Sequence, residues 1–249
     1  MNNHDVKAAA VDGWQAPSPH RHYIGYEAWK GWAKPFTFTE EEAEYFSGEL
    51  NGIPLAGNDV LEIGFGPGNF LAWASAAGAN VAGTEVNPVL LEAARRNGLS
   101  ILDADLSRAA AGHRGQFDVV VAIDVFEHLG CDEVDAALRA VDEMLRPGGY
   151  LILRFPNGQS PFGLLPQNGD VTHRTALSKD TVEQLCRETG LRAIRYRGSY
   201  RVRGPLGLTR VVRKLRAVAR DTLGAILNSV YALDIPWDPV VVLVMRKMK

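Results

Sequence analysis

The sequence contains few cysteines, no long apolar run and no excess of either charge. Its two cysteines, Cys131 and Cys186, lie far apart without metal-binding spacing, which indicates a reducing compartment and no disulfide framework. No stretch approaches the eighteen apolar residues of a membrane-spanning helix, and the N-terminus lacks the basic and apolar regions of a secretory signal. We therefore expect a cytoplasmic enzyme or binding protein.

The chain is long enough for one large domain with a substantial core. It has 249 residues, 46% of them hydrophobic, and its net charge of −2 gives no indication of nucleic-acid binding. We divide it into residues 1–57, a polar tail followed by an aromatic-rich helical segment, and residues 58–249, the main domain. Thr39 before an acidic run predicts a helix start. Tyr26, Trp29 and Trp32 either fold over a ligand as a lid or cover a sheet face.

From residue 58 short apolar runs alternate with helical patterns. Alternation of this kind predicts a parallel sheet with helices on both faces. The predicted helices are 69–77, 88–97 and 131–145, and the predicted strands are 60–63, 80–84, 100–102, 119–123, 150–155, 191–200 and 240–246.

An insertion at 201–238 separates the last two predicted strands. Its apolar residues recur at helical spacing, which predicts an amphipathic helix or a helix pair. From Arg192 to Arg220 there are ten Lys or Arg and no Asp or Glu. The simplest interpretation is a solvated basic face with the apolar face in the core. The alternatives are an anionic membrane surface, a cap on the substrate cleft, attraction of a phosphorylated sugar, and contact with a second subunit.

The stretch EIGFGPGNF (62–70) links a strand to a helix through three glycines. Gly64, Gly66 and Gly68 allow a sharp turn and close approach to a ligand at a helix N-terminus. The dinucleotide fingerprint would place its third glycine at Asn69, and Glu62 would repel a pyrophosphate. A carboxylate there suits an ammonium group, so the pattern favours S-adenosylmethionine, which has an ammonium, a sulfonium and no phosphate.

Further acids follow the next strands, within an ordered set of motifs. Glu85 can accept both ribose hydroxyls, and Asp105 can accept from an adenine amino group. EIGFGPGNF, TEVNP, DADL, FDVVVAIDVFEHL and LRPGGYLIL together resemble class I S-adenosylmethionine-dependent methyltransferases over residues 60–155. The resemblance implies a Rossmann-like α/β fold, a doubly wound, seven-stranded, mostly parallel sheet with an antiparallel last strand. We expect an N-terminal helical segment and a helical insertion around it.

The resemblance also implies the cofactor contacts. The glycines would surround the methionine part, Glu85 the ribose, and Asp105 with Leu106 the adenine. The predicted S-adenosylmethionine-binding residues are Glu62, Gly64, Gly66, Gly68, Asn69, Glu85, Val86, Asp105, Leu106, Asp124 and Val125.

Catalytic candidates follow the fourth and fifth strands. His128, His173, Asp170 and Asn157 are the predicted catalytic residues, and a hydroxyl acceptor would need one of them as a base. Each has a structural alternative, such as opening a helix or closing a turn. No ligand cluster in the sequence predicts a metal, although Asp124, Asp170 and His173 together could bind a divalent cation. We expect replacement of His173 by alanine to abolish transfer with cofactor binding intact.

The acceptor is predicted from a second resemblance. YEAWKGW, RFPNGQSPFG and QNGDVTH resemble a bacterial subgroup associated with sugars and cell-surface polysaccharides, which implies O-methylation of a saccharide hydroxyl. The alternatives are a small aromatic or lipid hydroxyl, or an amine. A non-catalytic cofactor-binding partner subunit is a further alternative. A nicotinamide reductase of the short-chain type needs a Tyr-x-x-x-Lys motif after the fourth strand. This class is disfavoured because the spacing from Tyr26 to Lys30 precedes the glycine loop.

Overall fold

The computed structural model of the protein describes residues 25–32 and 34–248. The N-terminal tail, Tyr23 and the side chain of Tyr26 belong to the predicted first segment and lie outside the described residues.

Seven strands form one sheet in the order β3-β2-β1-β4-β5-β7-β6. β7 pairs antiparallel with both β5 and β6, whereas the pairings within β3-β2-β1-β4-β5 are parallel. The predicted mostly parallel, seven-stranded sheet with an antiparallel last strand is confirmed. The strands are β1 (Asp59–Ile63), β2 (Asn80–Thr84), β3 (Ser100–Ile101), β4 (Phe117–Ile123), β5 (Leu145–Pro156), β6 (Leu191–Gly198) and β7 (Val240–Lys247).

Nine α-helices surround the sheet in the part of the chain that the structure describes, and a short 3-10 helix, Phe126–His128, follows β4. Thr39 caps α2 as predicted, because its hydroxyl accepts from Glu42 N and the Glu42 carboxylate accepts from Thr39 N. The helices are α1 (Tyr26–Trp29), α2 (Glu40–Glu49), α3 (Asn69–Ala76), α4 (Pro88–Arg96), α5 (Leu106–Gly112), α6 (Cys131–Met144), α7 (Leu164–Asn168), α8 (Lys179–Leu185) and α9 (Leu208–Tyr231).

The central strands are buried on both faces. In β4, Val119 and Val121 pack among apolar residues of α2, α3 and α4, whereas Val120 and Ala122 pack among those of α5, α6 and α8. Side chains alternate across a strand, so a strand covered on both faces is apolar at every position. Because β1, β2, β4 and β5 run parallel, their carboxyl ends meet at one edge of the sheet, and the polar loop residues lie there.

The insertion before β7 forms a single helix, α9. None of its residues is buried, and Leu208, Leu215 and Val230 are 78%, 64% and 69% exposed. The interpretation that its apolar face lies in the core is therefore wrong, because that face points away from the protein. Among the described residues, no helix combines the length and apolar character needed to cross a membrane.

Candidate active site

The glycine loop connects β1 to α3 at the carboxyl edge of the sheet. Gly64, Gly66 and Gly68 have φ of +63°, +51° and +74°. These are left-handed conformations that side chains with a Cβ adopt at a cost, so the turn depends on glycine. The loop leads directly into α3, whose first residue is Asn69.

Other side chains press against the glycines of the loop. A Cβ on Gly64 would lie 2.8 Å from Val125 Cγ2, and one on Gly68 would lie 2.3 Å from Phe36 Cε1. A Cβ on Gly66 would approach Trp32 Cη2 to 3.3 Å. Trp32 and Phe36, which precede α2, thus cover the loop. The lid of Tyr26, Trp29 and Trp32 over the cofactor stays a prediction.

Two carboxylates lie beside the loop. Glu62 is 4% exposed, and its Oε2 has no hydrogen-bond partner among the described residues. Burial, together with the nearby charge of Glu85, raises its pKa well above the usual range. Glu85 accepts from Gly66 N at 2.9 Å through Oε2 and from Val86 N at 2.7 Å through Oε1. A buried acid with an unsatisfied oxygen beside the glycine loop fits a ligand with an ammonium group, as S-adenosylmethionine has.

Asp105 lies at the start of α5 and acts as its N-cap. Its Oδ1 accepts from Ser107 N at 3.0 Å and Arg108 N at 3.3 Å, so part of its carboxylate is already engaged. Leu106 follows and is partly buried against the core. Both residues lie after β3 as the sequence predicts, and their contact with adenine stays a prediction.

The end of β4 turns sharply at Asp124. Its φ is +53°, and its carboxylate forms an ion pair with Arg154 of β5. Val125 follows against Gly64, and the 3-10 helix then places His128 over the same edge. The β4 loop therefore connects the glycine loop to the part of this edge that holds His128.

His128 belongs to a chain of hydrogen bonds that reaches the loop after α7, residues 169–173. Its Nδ1 lies 2.8 Å from Thr172 Oγ1, and that hydroxyl donates to Asp170 Oδ1 at 2.5 Å. Asp170 Oδ2 lies 3.3 Å from Lys30 Nζ. Because Thr172 donates its only hydroxyl proton to Asp170, we assign the His128 proton to Nδ1, which then donates to Thr172 Oγ1 and leaves the lone pair on Nε2.

Burial sets the protonation state of His128. It lowers the pKa of the imidazole to about 4, with the neighbouring His173 acting in the same direction and the Asp170 charge opposing it. The ring is therefore neutral near pH about 7, the form that accepts a proton.

Glu127 and His173 lie next to His128. Glu127 is 1% exposed, and neither carboxylate oxygen has a hydrogen-bond partner among the described residues. Burial and the charge of Asp124 raise its pKa well above the usual range. His173 donates from Nδ1 to Gln167 O at 3.0 Å, and its Nε2 lies 4.0 Å from Glu127 Oε1.

The family comparison decides which class of protein this is. The family model described as "Methyltransferase domain" matches residues 14–196, well over half of the chain. The chain belongs to this methyltransferase family. The predicted cofactor, S-adenosylmethionine, is confirmed at the level of the family and the fold.

Curated relatives of this methyltransferase carry the name ubiquinone biosynthesis O-methyltransferase. The protein from Thiobacillus denitrificans is 32% identical over 119 residues, which covers 45% of this chain and 50% of the relative. The one from Azoarcus sp. is 27% identical over 187 residues, covering 68% of this chain and 75% of the relative. The chain thus spans about half the length of the first relative.

Solved structures of methyltransferases share the fold. An S-adenosylmethionine-dependent methyltransferase from Archaeoglobus fulgidus has a TM-score of 0.62 at 16% identity, covering 91% of this chain and 100% of that chain. The 1,6-didemethyltoxoflavin-N1-methyltransferase from Burkholderia thailandensis, solved with S-adenosylhomocysteine, has a TM-score of 0.56 at 17% identity and covers 99% of both chains. At these identities the likeness concerns the fold alone.

Asn157 has a structural position in the methyltransferase that corrects its predicted catalytic role. It is 1% exposed, and its amide donates to the backbone oxygens of Pro236 and Asp238. Its Oδ1 accepts from Gln159 N and from Tyr196 OH. All of its side-chain hydrogen-bonding capacity is used to hold the segment before β7, so it has none left for a substrate hydroxyl.

Thr172 and Arg154 belong to the site although neither is among the residues predicted from the sequence, and Lys30 is considered only as part of a reductase motif. Thr172 connects two of the predicted catalytic residues, His128 and Asp170, and it lies in the same GDVTH stretch as Asp170. Arg154 lies two residues before the end of β5. A charged side chain in an otherwise apolar, buried strand indicates a paired or functional residue, so the sequence did carry a signal for it. The residues that could share a cation also differ from the predicted Asp124, Asp170 and His173. Among the described residues, ligand atoms of Glu127, His128 and His173 lie within 4.8 Å of one another.

Replacing Glu127 by glutamine is expected to stabilise the protein at high pH. The folded-state pKa of Glu127 is raised, so stability is lost as pH rises above the unfolded value of about 4.3, and glutamine removes this loss. One pKa unit corresponds to about 1.4 kcal/mol, and each kcal/mol raises Tm by about 2–4 °C in a protein of this size. Thermal unfolding at pH about 8 and about 4.5 should show the gain only at the higher pH. The exposed Glu92→Gln is the control, and an equal shift there would contradict the prediction.

Proposed function

We propose that this methyltransferase methylates a hydroxyl group and that His128 is the general base. The observation that carries the proposal is the Asp170–Thr172–His128 hydrogen-bond chain, which fixes the histidine tautomer. A histidine whose Nδ1 proton is held by a partner has its lone pair on Nε2, as a general base requires. The curated relatives, named as O-methyltransferases, support the same acceptor class.

The residues of the chain move one proton in this reaction. S-adenosylmethionine, when bound, supplies a methyl group on a sulfonium that is already activated toward attack. With the cofactor bound, His128 Nε2 would accept the proton of the acceptor hydroxyl, and the hydroxyl oxygen would take the methyl group as the carbon–sulfur bond breaks and S-adenosylhomocysteine leaves. The imidazolium that results is stabilised through Thr172 by the Asp170 carboxylate. The covered glycine loop holds the donor in line, and such positioning is worth on the order of 7–11 kcal/mol in favourable cases.

The basicity of His128 bears on the acceptor. A base with a pKa of about 4 is weak, so it matches an acidic hydroxyl better than an alcohol. A phenol, with a pKa near about 10 as in tyrosine, is closer to this requirement than a saccharide hydroxyl. The saccharide acceptor predicted from the sequence gains no support from relatives named for ubiquinone biosynthesis. We therefore infer a phenolic hydroxyl as the acceptor class.

A radiolabelled methyl-transfer screen tests the function directly. Purified protein is incubated with labelled S-adenosylmethionine and separate pools of phenols, nucleotide sugars, lipid-linked saccharides and amines. Label on phenols is expected. Label only on saccharides would restore the sugar acceptor, and label only on amines would exclude the O-methyltransferase. S-adenosylhomocysteine binding without transfer to any pool would favour the non-catalytic partner subunit.

The pH dependence of kcat/KM tests the base. The base must be neutral, so activity is lost only when pH falls toward the His128 pKa of about 4. We expect kcat/KM to stay constant between pH about 5.5 and 7.5, whereas a histidine of ordinary pKa, about 6.5, would give a roughly tenfold fall. Circular dichroism over the same range checks that the fold is intact. A tenfold fall with the fold intact would contradict the assignment.

A chelator distinguishes proton transfer from metal assistance at the same residues. Glu127, His128 and His173 lie close enough to share a cation. On the proposed mechanism, turnover survives prolonged dialysis against EDTA. Loss of turnover that a divalent cation restores would replace the base with a metal centre.

A further inference from the structure

The helix α9 is amphipathic, but it turns its apolar side to solvent, whereas an ordinary surface helix turns that side to the core. A helix turns 100° per residue, so Leu208, Leu215 and Ile226 share one side, and they are 78%, 64% and 53% exposed. Ala217 and Gly224 lie on the opposite side and are only partly exposed. The apolar side therefore points outward and the polar side faces the protein.

Polar contacts hold the helix in this orientation. Arg213 Nη1 lies 3.1 Å from Glu41 Oε1 of α2, and Asn228 Oδ1 accepts from Trp237 Nε1 at 2.8 Å. Arg201 bridges Asp221 of the helix and Asp238 beyond it, at 2.7 Å and 2.8 Å. The outward position of the apolar side is thus fixed by contacts at both ends of the insertion.

Cations flank the exposed apolar side. Lys214 and Arg216 stand on either side of Leu215, and Arg220 lies one turn beyond Arg216. No carboxylate of the described residues forms an ion pair with any of these three cations. A basic groove of about 650 Å³ also lies along the helix, lined by Arg201, Arg203, Arg210, Arg213, Lys214 and Arg220.

We propose that α9 docks this protein in the plane of an anionic lipid surface. The 24 residues of the helix extend about 36 Å, its apolar row would enter the acyl boundary, and its flanking cations would contact lipid phosphates. Charge complementarity favours lipid over a second copy of the chain, because pairing two such faces would bring the flanking cations of both copies together. The exposed Tyr231 at the end of the helix suits the same interface.

Vesicle co-sedimentation tests the docking. The full chain is expected to pellet with phosphatidylcholine vesicles that contain a third phosphatidylglycerol, and to remain in the supernatant with pure phosphatidylcholine. Binding should weaken as salt is added, because screening reduces the electrostatic part. Pelleting with neither vesicle would overturn the proposal. Equal pelleting with both vesicles would contradict the requirement for anionic lipid.

Two variants separate the charge and apolar contributions. Lys214→Glu with Arg216→Glu, and separately Leu215→Asp, should each lower vesicle binding by about tenfold or more, with thermal stability kept because these side chains are exposed. Arg95→Glu on α4 is the matched charge-reversal control and should bind as the parent chain does. Leu215→Asp that changes the mass in solution without affecting vesicle binding would assign the face to a second copy. Methyl transfer to a water-soluble acceptor should be unchanged, which keeps this test separate from that of the proposed function.

Discussion

Replacing His128 by alanine is expected to lower kcat by about 10²- to 10⁴-fold, the range that a well-placed general base contributes. The reason is the loss of Nε2 as the proton acceptor, while the glycine loop and its acids are unchanged. S-adenosylhomocysteine affinity, measured by calorimetry, should therefore stay at the level of the parent protein. Turnover within a few-fold of the parent would contradict the role of His128.

Variants at His113 and Thr172 control this experiment. His113→Ala removes a histidine at the end of α5 whose ring lies beside Gln116 and Phe117, and its activity should match the parent. Thr172→Val breaks the chain to Asp170, whereas Thr172→Ser keeps the hydroxyl, so only valine should lower kcat. If His173→Ala abolishes transfer and His128→Ala does not, the base is His173.

Replacing Gly68 by alanine is expected to weaken S-adenosylmethionine binding by more than about tenfold and to lower Tm. With a Cβ, the left-handed backbone conformation at this position costs about 1–2 kcal/mol. The Cβ would also meet the ring of Phe36 at 2.3 Å, which forces the loop or its cover to move. Calorimetric titration with S-adenosylhomocysteine and thermal unfolding measure both effects. Parent-like affinity would show that the loop geometry does not determine cofactor binding.

A matched glycine separates the two causes. Gly98 has a similar φ of +68° with no atom within 4 Å of its Cβ position, so Gly98→Ala pays the backbone cost alone. Its Tm should fall by a few degrees with cofactor affinity unchanged. Adding Phe36→Ala to Gly68→Ala removes the clashing ring and should restore part of the lost affinity. If Gly68→Ala and Gly98→Ala change Tm and cofactor affinity equally, backbone strain alone explains the effect at Gly68.

The sequence predicts the sheet and the cofactor edge because their signals are local. A strand buried on both faces must be apolar throughout, and the glycines at 64, 66 and 68 have a conformational requirement that few other residues meet. His128, Asp170 and His173 could be proposed because polar residues that follow parallel strands meet at one edge. These inferences need no knowledge of side-chain orientation.

What the sequence could not predict depends on orientation and long-range contacts. Asn157 follows a strand as a catalytic residue would, and only its contacts with Pro236 and Asp238 show its structural position. Amphipathic periodicity predicts α9 equally well with either face outward, and contacts such as that of Arg213 with Glu41 decide between them. The Thr172 hydroxyl joins His128 to Asp170 only because the loop after α7 folds back over the edge.

The ends of the insertion that carries α9 are neighbours in the sheet. Ser199 N donates to Val240 O directly after the last paired residues of β6 and β7, and Arg201 joins Asp238 just beyond. The insertion is therefore a hairpin connection between the neighbouring antiparallel strands β6 and β7, and its length does not alter the register in which these strands pair. Loop-closure entropy grows only logarithmically with length, by about 0.6 kcal/mol for each doubling. The insertion leaves the sheet at the same edge as the carboxyl ends of β4 and β5, because Pro156 pairs with Val240. The same scaffold can thus accommodate connections of very different size beside the site, so the proposed docking helix could be shortened or exchanged by protein engineering without altering the strands that carry the chemistry.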